Sequence, residues 1–305
     1  MRYTVVLTAA FPSIATSLLS PHFDVIAHPT EHDRTEDDMT TMLAEADAAI
    51  VLLSDPITRR VLESNPNLRI VSNFAVGYNN IDLAAARELG VTVTNTPGVL
   101  TEATADLTMA LILAVTRRIV EGDSDIRATG RCEWDPLAFL GASLQGKRLG
   151  IIGMGRIGTA VATRARAFGM EILSARRGDA PDELLATSDI VSLHVPLSQE
   201  THHLIDAAAL AKMKPGAYLI NTARGPLVDE KALCDALERG HLRGAGLDVY
   251  EHEPRVHPRL LQLKNAVVLP HIGSATEEAR NAMARIAATN VLLFLGGAEP
   301  LHRVV

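Results

Sequence analysis

The strongest constraint on the fold of this chain is a run of glycines near its middle. Residues 149–158 read Leu-Gly-Ile-Ile-Gly-Met-Gly-Arg-Ile-Gly, an apolar strand passing into a helical pattern through Gly153, Gly155 and Gly158. This G-x-G-x-x-G spacing is the phosphate-binding turn of a dinucleotide fold. Gly153 makes the tight turn, Gly155 lets the backbone approach a pyrophosphate, and Gly158 allows close packing of helix on strand. The start of the next helix offers N–H groups and positive potential to phosphates. In a chain with 21 glycines among 305 residues, chance supplies only about 0.1 such matches. A glycine turn without a ligand is the weaker reading. Roughly half the chain precedes the motif, so a second body is built before the cofactor site.

That first part alternates apolar runs with helical patterns. Tyr3–Thr8, Asp24–Ala27, Ala48–Leu53, Leu68–Ser72 and Val91–Thr94 predict strands; Ser13–Ser20, Glu36–Glu45, Thr58–Ser64 and Leu83–Leu89 predict helices. Strict alternation of this kind specifies a parallel α/β sheet. Thr96-Pro97-Gly98 is a breaker, and behind it the apolar pattern predicts one long helix from Thr101 to about Glu121, buried between two bodies. Residues 130–146 are less regular and hold the only tryptophan, Trp134. A second α/β series begins at Leu149, with strands expected at Arg148–Ile152, Glu171–Ser174, Ile190–Leu193, Ala217–Asn221, Gly244–Leu247 and Ala266–Leu269. A last helix, about Thr276–Gly296, closes the chain and is expected to return to the first body. The fold class is therefore α/β with two Rossmann-like domains of parallel sheet. A flavodoxin-like substrate domain, residues 1–97 plus 274–305, carries an inserted dinucleotide-binding domain, residues 98–273.

The bulk properties narrow the function. Charged residues make up 21% of the chain and the formal charge is −7, which gives no basic surface for nucleic acid. Aromatics are only 4%, so the core is aliphatic. Cys132 and Cys234 form no metal or disulfide pattern, and no metal is expected. The N-terminal apolar run is too short for a signal peptide and no segment approaches a membrane span, which places the expected location in the cytoplasm.

At the end of the second strand of the inserted domain, an NAD-binding fold usually carries an acid for the ribose 2′-hydroxyl. Here the residues are Ser174-Ala175-Arg176-Arg177. No acid repels a 2′-phosphate, and two guanidiniums are placed to clamp one. NADP(H) is the expected cofactor and NAD(H) the alternative.

Three later segments end predicted strands with groups suited to chemistry: Arg224 in Asn-Thr-Ala-Arg-Gly, Glu253 in the run before Pro254, and His271 after Pro270. Carboxyl ends of strands face the ligand crevice in open α/β sheets. Arg224 is suited to hold a carboxylate bidentately and polarise the adjacent carbonyl. A histidine exchanges protons near neutral pH, and a neighbouring Glu253 favours imidazolium. Read singly, each has a plainer reading: a surface ion pair, a solvated turn residue, a strand-end histidine.

Taken together, the glycine turn, Asn221–Glu230, Gly244–Pro254 and Leu269–Ala275 resemble the D-isomer-specific 2-hydroxyacid dehydrogenases over the whole chain. The resemblance implies catalytic roles for Arg224, Glu253 and His271. It also implies a cofactor site of Thr101, Gly153, Gly155, Arg156, Ile157, Gly158, Arg176, Arg177, His194, Pro196, Thr201, Thr222, Ala223, Asp248 and Gly273. Asp248 would contact the nicotinamide carboxamide. Leu53, Ser54, Val76 and Gly77 would bind substrate with Arg224 and His271, the backbone at Val76–Gly77 holding the carboxylate. Within the family the chain is most similar to the glyoxylate/hydroxypyruvate reductases. There Trp134 would reach the active site of a partner in a homodimer; its plainer reading is a core or interface anchor. The expected reaction is NADPH-dependent reduction of short 2-oxoacids to D-2-hydroxyacids. The alternatives are an NAD-dependent 2-hydroxyacid dehydrogenase of different substrate and a dinucleotide-sensing, corepressor-like binding protein. Formate enzymes of this type carry glutamine at the position of Glu253, which argues against formate.

Overall fold

A computed structural model describes residues 2–31, 33–175 and 181–305. The chain divides into two compact units, Met1–Leu100 with Ala275–Val305, and Thr101–Ser274.

The first unit is built on strands β1 (Thr4–Leu7), β2 (Asp24–Ala27), β3 (Ala48–Val51), β4 (Ile70–Asn73) and β5 (Thr92–Thr94). Between them run α1 (Ile14–Leu19), α2 (Glu36–Met42), α3 (Arg59–Glu63) and α4 (Leu83–Leu89). All pairings are parallel, in the order β2-β1-β3-β4-β5, the flavodoxin-like arrangement. β3 and β4 are buried along their whole length, as central parallel strands covered on both faces must be.

The second unit opens with α5 (Thr101–Thr116) and α6 (Ile119–Thr129). The sequence pattern predicts one helix to about Glu121, but the helix breaks at Arg118, which adopts φ 54° in the left-handed region. The break lets Arg118 pair with Glu121 at 2.5 Å and lie 5.2 Å from the Phe139 ring centroid. Then follow β6 (Arg148–Ile152), α7 (Arg156–Ala167), β7 (Glu171–Ala175), α8 (Asp182–Thr187), β8 (Ile190–Leu193) and α9 (Ala207–Lys212). β9 (Tyr218–Asn221), α10 (Glu230–Glu238), β10 (Gly244–Leu247) and β11 (Ala266–Val268) complete the unit. The parallel sheet has the order β11-β10-β9-β8-β6-β7, with α5 and α7 on one face. The last helix, α11 (Glu277–Leu295), packs in the first unit against α1, β3 and β4. The Thr276 hydroxyl caps it by accepting from the Ala279 N–H at 3.1 Å.

Each sheet reverses strand order once, between β1 and β3 in the first unit and between β6 and β8 in the second. Ligands of open α/β sheets bind at such switch points, outside the carboxyl ends of the strands. Leu53 and Ser54 follow β3 at the first, and Gly153 and His194 follow β6 and β8 at the second. Among the described residues no helix is long and apolar enough to cross a membrane.

Candidate active site

The glycine turn is shaped as its spacing predicts. Gly153 takes φ 102°, a conformation costly for any residue with a Cβ. A Cβ there would also strike the His194 carbonyl. Gly155 is the N-cap of α7, has no side-chain cap, and faces open space where a Cβ would stand. Arg156 and Ile157 form the first turn of α7, and Gly158 lies directly on the Gly153 carbonyl. The opening N–H groups of α7 thus border open space at Gly155, which fits a dinucleotide pyrophosphate. His194 lies beside the turn, with its N–H on the Ile152 carbonyl at 2.8 Å and its Nε2 2.9 Å from the Ser192 hydroxyl. Burial pushes the imidazole down to about 4, so it is neutral at pH 7. The Thr201 hydroxyl donates to the Pro196 carbonyl at 2.8 Å and closes the next loop. Thr101 begins α5. The Thr222 hydroxyl meets that of Thr108 on the same helix at 2.9 Å. Arg176 and Arg177, on which the NADP(H) expectation rests, lie outside the described residues.

The ends of β9, β10 and β11 carry the titratable cluster. After β9, Asn221 folds the turn: its Nδ2 donates to the Arg224 carbonyl at 2.8 Å and its Oδ1 accepts from the Ala223 N–H at 3.0 Å. Gly225 then passes against the backbone of Tyr250 and Glu251 so closely that no Cβ fits. Burial draws the Arg224 guanidinium below its ordinary pKa, and the charge of Glu253 opposes that shift. An arginine remains a cation under such a shift.

Glu253 accepts the Tyr250 N–H on Oε1 at 2.9 Å, and its Oε2 lies 2.9 Å from His271 Nδ1. Burial raises its pKa, but the bond to His271, that residue's charge, the Tyr250 N–H and Arg224 together bring it below the ordinary carboxylate value. Glu253 is therefore an acceptor at neutral pH, so Nδ1 of His271 carries the shared proton and Nε2 is left for another partner. His271 stands in the left-handed region at φ 53°. The residues after it are tied to Asp248, whose two oxygens accept the N–H groups of Ile272 and Gly273, each at 2.7 Å. Burial raises the Asp248 pKa against the effect of those N–H bonds. The Gly273 carbonyl accepts from Thr104 at 3.1 Å.

In the first unit, Asn80 joins the two candidate substrate loops. Its Nδ2 donates to the carbonyls of Leu52 and Asp55 at 3.0 and 3.1 Å, beside Leu53 and Ser54. Asn95 donates to the Val76 carbonyl at 2.8 Å and Asn73 to the Gly77 carbonyl at 2.7 Å. In planar trans peptides this turns the N–H groups of Gly77 and Tyr78 the opposite way, an arrangement suited to an anion. Trp134 is 88% exposed in the single chain.

The structure thus joins Glu253 with His271, sets Arg224 within their electrostatic reach, and groups Gly153, His194, Thr222 and Asp248 at the carboxyl edge of one sheet. The sequence reading gave no role to Asn221, Thr104, Asn73, Asn80 and Asn95, which act through the backbone. Their one visible signal is an amide or hydroxyl at a strand end or on a helix beside the site.

A parallel-sheet dinucleotide fold with this cluster at its strand ends defines an NAD(P)-dependent oxidoreductase. Residues 109–273 match the D-isomer specific 2-hydroxyacid dehydrogenase NAD binding domain. A glyoxylate reductase of Thermococcus litoralis is 44% identical, covering 100% of this chain and 97% of its own. A Thermus thermophilus protein superposes with TM-score 0.93 at 45% identity, covering 99% of this chain and 100% of that one. The NADPH-dependent glyoxylate/hydroxypyruvate reductase of Sinorhizobium meliloti, solved with NADP and malonate, gives 0.85 at 31% identity over 100% and 97%. The chain belongs to the D-isomer specific 2-hydroxyacid dehydrogenase family.

A carboxylate with a lowered folded pKa stabilises the fold above its unfolded pKa, and that stability is lost as the pH falls through the lowered value. The stability advantage of the wild type over Glu253→Gln should therefore be fully present above the ordinary value of 4.5 and shrink as the pH falls below it. Urea midpoints across the acid range check this; an advantage that grows towards low pH contradicts it.

Proposed function

We propose that this dehydrogenase reduces glyoxylate, hydroxypyruvate and related short 2-oxoacids to D-2-hydroxyacids, with NADPH preferred over NADH. The observation that carries the reading is the His271–Glu253 bond beside the half-buried Arg224. When bound, the reduced nicotinamide supplies the hydride. Arg224 binds the substrate carboxylate and draws charge from the neighbouring carbonyl. Glu253 fixes the ring of His271 through Nδ1, so the proton for the carbonyl oxygen leaves from Nε2. An arginine cation beside this pair suits an acid substrate better than a neutral ketone. The names of the relatives support glyoxylate and hydroxypyruvate within that class. The intact Arg–Glu–His set favours turnover over a purely cofactor-sensing role.

His271→Ala and Arg224→Ala should each lower kcat/KM for glyoxylate by about 10²–10⁴-fold. A panel of glyoxylate, hydroxypyruvate and pyruvate with each cofactor measures this. Wild-type reduction by His271→Ala would remove the histidine from its role as acid.

The cofactor preference rests on the sequence around Arg176 and Arg177, where the usual acid is missing. Replacing Arg176 with Asp should turn the NADPH/NADH ratio of kcat/KM towards NADH, and an unchanged ratio would sink the preference.

We also propose a homodimer formed through the second unit. Ile119, Val120, Ile126, Trp134, Leu137 and Leu140 are exposed together on α6 and the segment after it. Exposed apolar groupings of this kind mark association surfaces. Light scattering should give twice the 32.7 kDa chain mass, falling to one chain mass in Leu137→Glu; a monomeric wild type refutes the dimer.

A further inference from the structure

We propose that His202, His203 and Glu251 form a surface site for a zinc-type divalent ion, separate from the cluster at Arg224. One imidazole nitrogen from each histidine and one carboxylate oxygen of Glu251 lie within 4.8 Å of one another. His203 Nε2 is already 2.7 Å from Glu251 Oε1, and the two imidazole rings lie 4.1 Å apart between centroids, tilted by 31°. Two neutral imidazoles and a carboxylate are a donor set that zinc accepts. Tetrahedral zinc, with bonds of about 2.0–2.1 Å, spaces its donors about 3.3 Å apart. The His203–Glu251 pair needs to open by about 0.6 Å from its 2.7 Å contact, and the exposed His202 ring turns inward. Solvent supplies the fourth ligand.

The residues beneath the site are held in place. The His203 N–H donates to the Pro226 carbonyl at 2.8 Å, and Ile205 pairs with Val228 in a parallel bridge. The Glu251 N–H donates to Glu230 Oε1 at 2.8 Å, while the Glu230 N–H lies 3.3 Å from Glu251 Oε2. The loop that carries the histidines and the segment that carries Glu251 are thus both anchored to residues 226–230. An ion at this position fastens the two segments directly to each other. No spaced ligand motif announces the site, because 48 positions separate His203 from Glu251.

The test is calorimetric titration of the full chain with zinc chloride, in the wild type and in His202→Ala. The ring removed is exposed. The expected result is one site per wild-type chain, weakened at least about tenfold in the variant, with zinc raising the Tm of the wild type more than that of His202→Ala. Glu251→Ala should weaken the same site. Equal zinc affinity in wild type and His202→Ala, or no binding by the wild type, overturns the proposal. Neither readout involves turnover, so its failure is distinct from any failure of the proposed reductase activity.

Discussion

The carboxylate of Asp248 holds the turn on which His271 stands. β10 and β11 run side by side, but pairing within the sheet stops at Leu247 and Val268. Beyond that point the backbone of residues 270–273 has left the ladder, and its N–H groups need other acceptors. Asp248, fully buried at the end of β10, accepts two of them. Thr104 secures the same turn from α5 through the Gly273 carbonyl. Only because both sides of the turn are fixed can His271 occupy a left-handed backbone conformation and meet Glu253. The resemblance assigns Asp248 to the nicotinamide carboxamide; the geometry adds a positioning task carried by the same two oxygens.

The first unit uses the same device with different residues. Asp55 is buried and accepts the Thr8 hydroxyl at 2.5 Å and the Leu52 N–H at 2.8 Å. Arg34 reaches the same carboxylate at 3.4 Å and also donates to the Thr8 carbonyl. A buried ion pair becomes tolerable when its remaining hydrogen-bonding groups are also satisfied, and here loop carbonyls and amides do that. The outcome is that the turn beside Leu53 and Ser54 is rigid without any regular secondary structure.

Much of this architecture was legible in the sequence because parallel strands buried on both faces appear as short aliphatic runs. Ala-Ala-Ile-Val and Ile-Val-Ser-Asn are such runs, and they are β3 and β4. The break at Arg118 was not legible, since Thr-Arg-Arg-Ile-Val continues the helical pattern without glycine or proline; a local ion pair and a ring contact decide it. At the site, Gly153 and Gly158 were readable because backbone shape and close packing demand glycine there, and Gly155 because its motif keeps the start of α7 clear of a side chain. The pairing of His271 with Glu253 was readable as complementary chemistry at two strand ends. The asparagines that shape the loops were not, because an asparagine looks the same in sequence whether it faces water or holds a carbonyl. The histidine pair near Glu251 was invisible for a topological reason: residues far apart in the chain meet only after the 203–205 and 226–229 segments bond to each other.

The absence of a side chain at Gly225 has a wider effect. Its Cα rests on the peptide between Tyr250 and Glu251, so the Arg224 turn and the segment leading to Glu253 share one van der Waals surface. Any displacement of one is passed to the other without a side chain to absorb it. In any redesign, the turn that bears Arg224 and the segment that bears Glu253 therefore behave as a single part. A library that randomises the loop after β9 would lose most of its members at position 225 before substrate selection began.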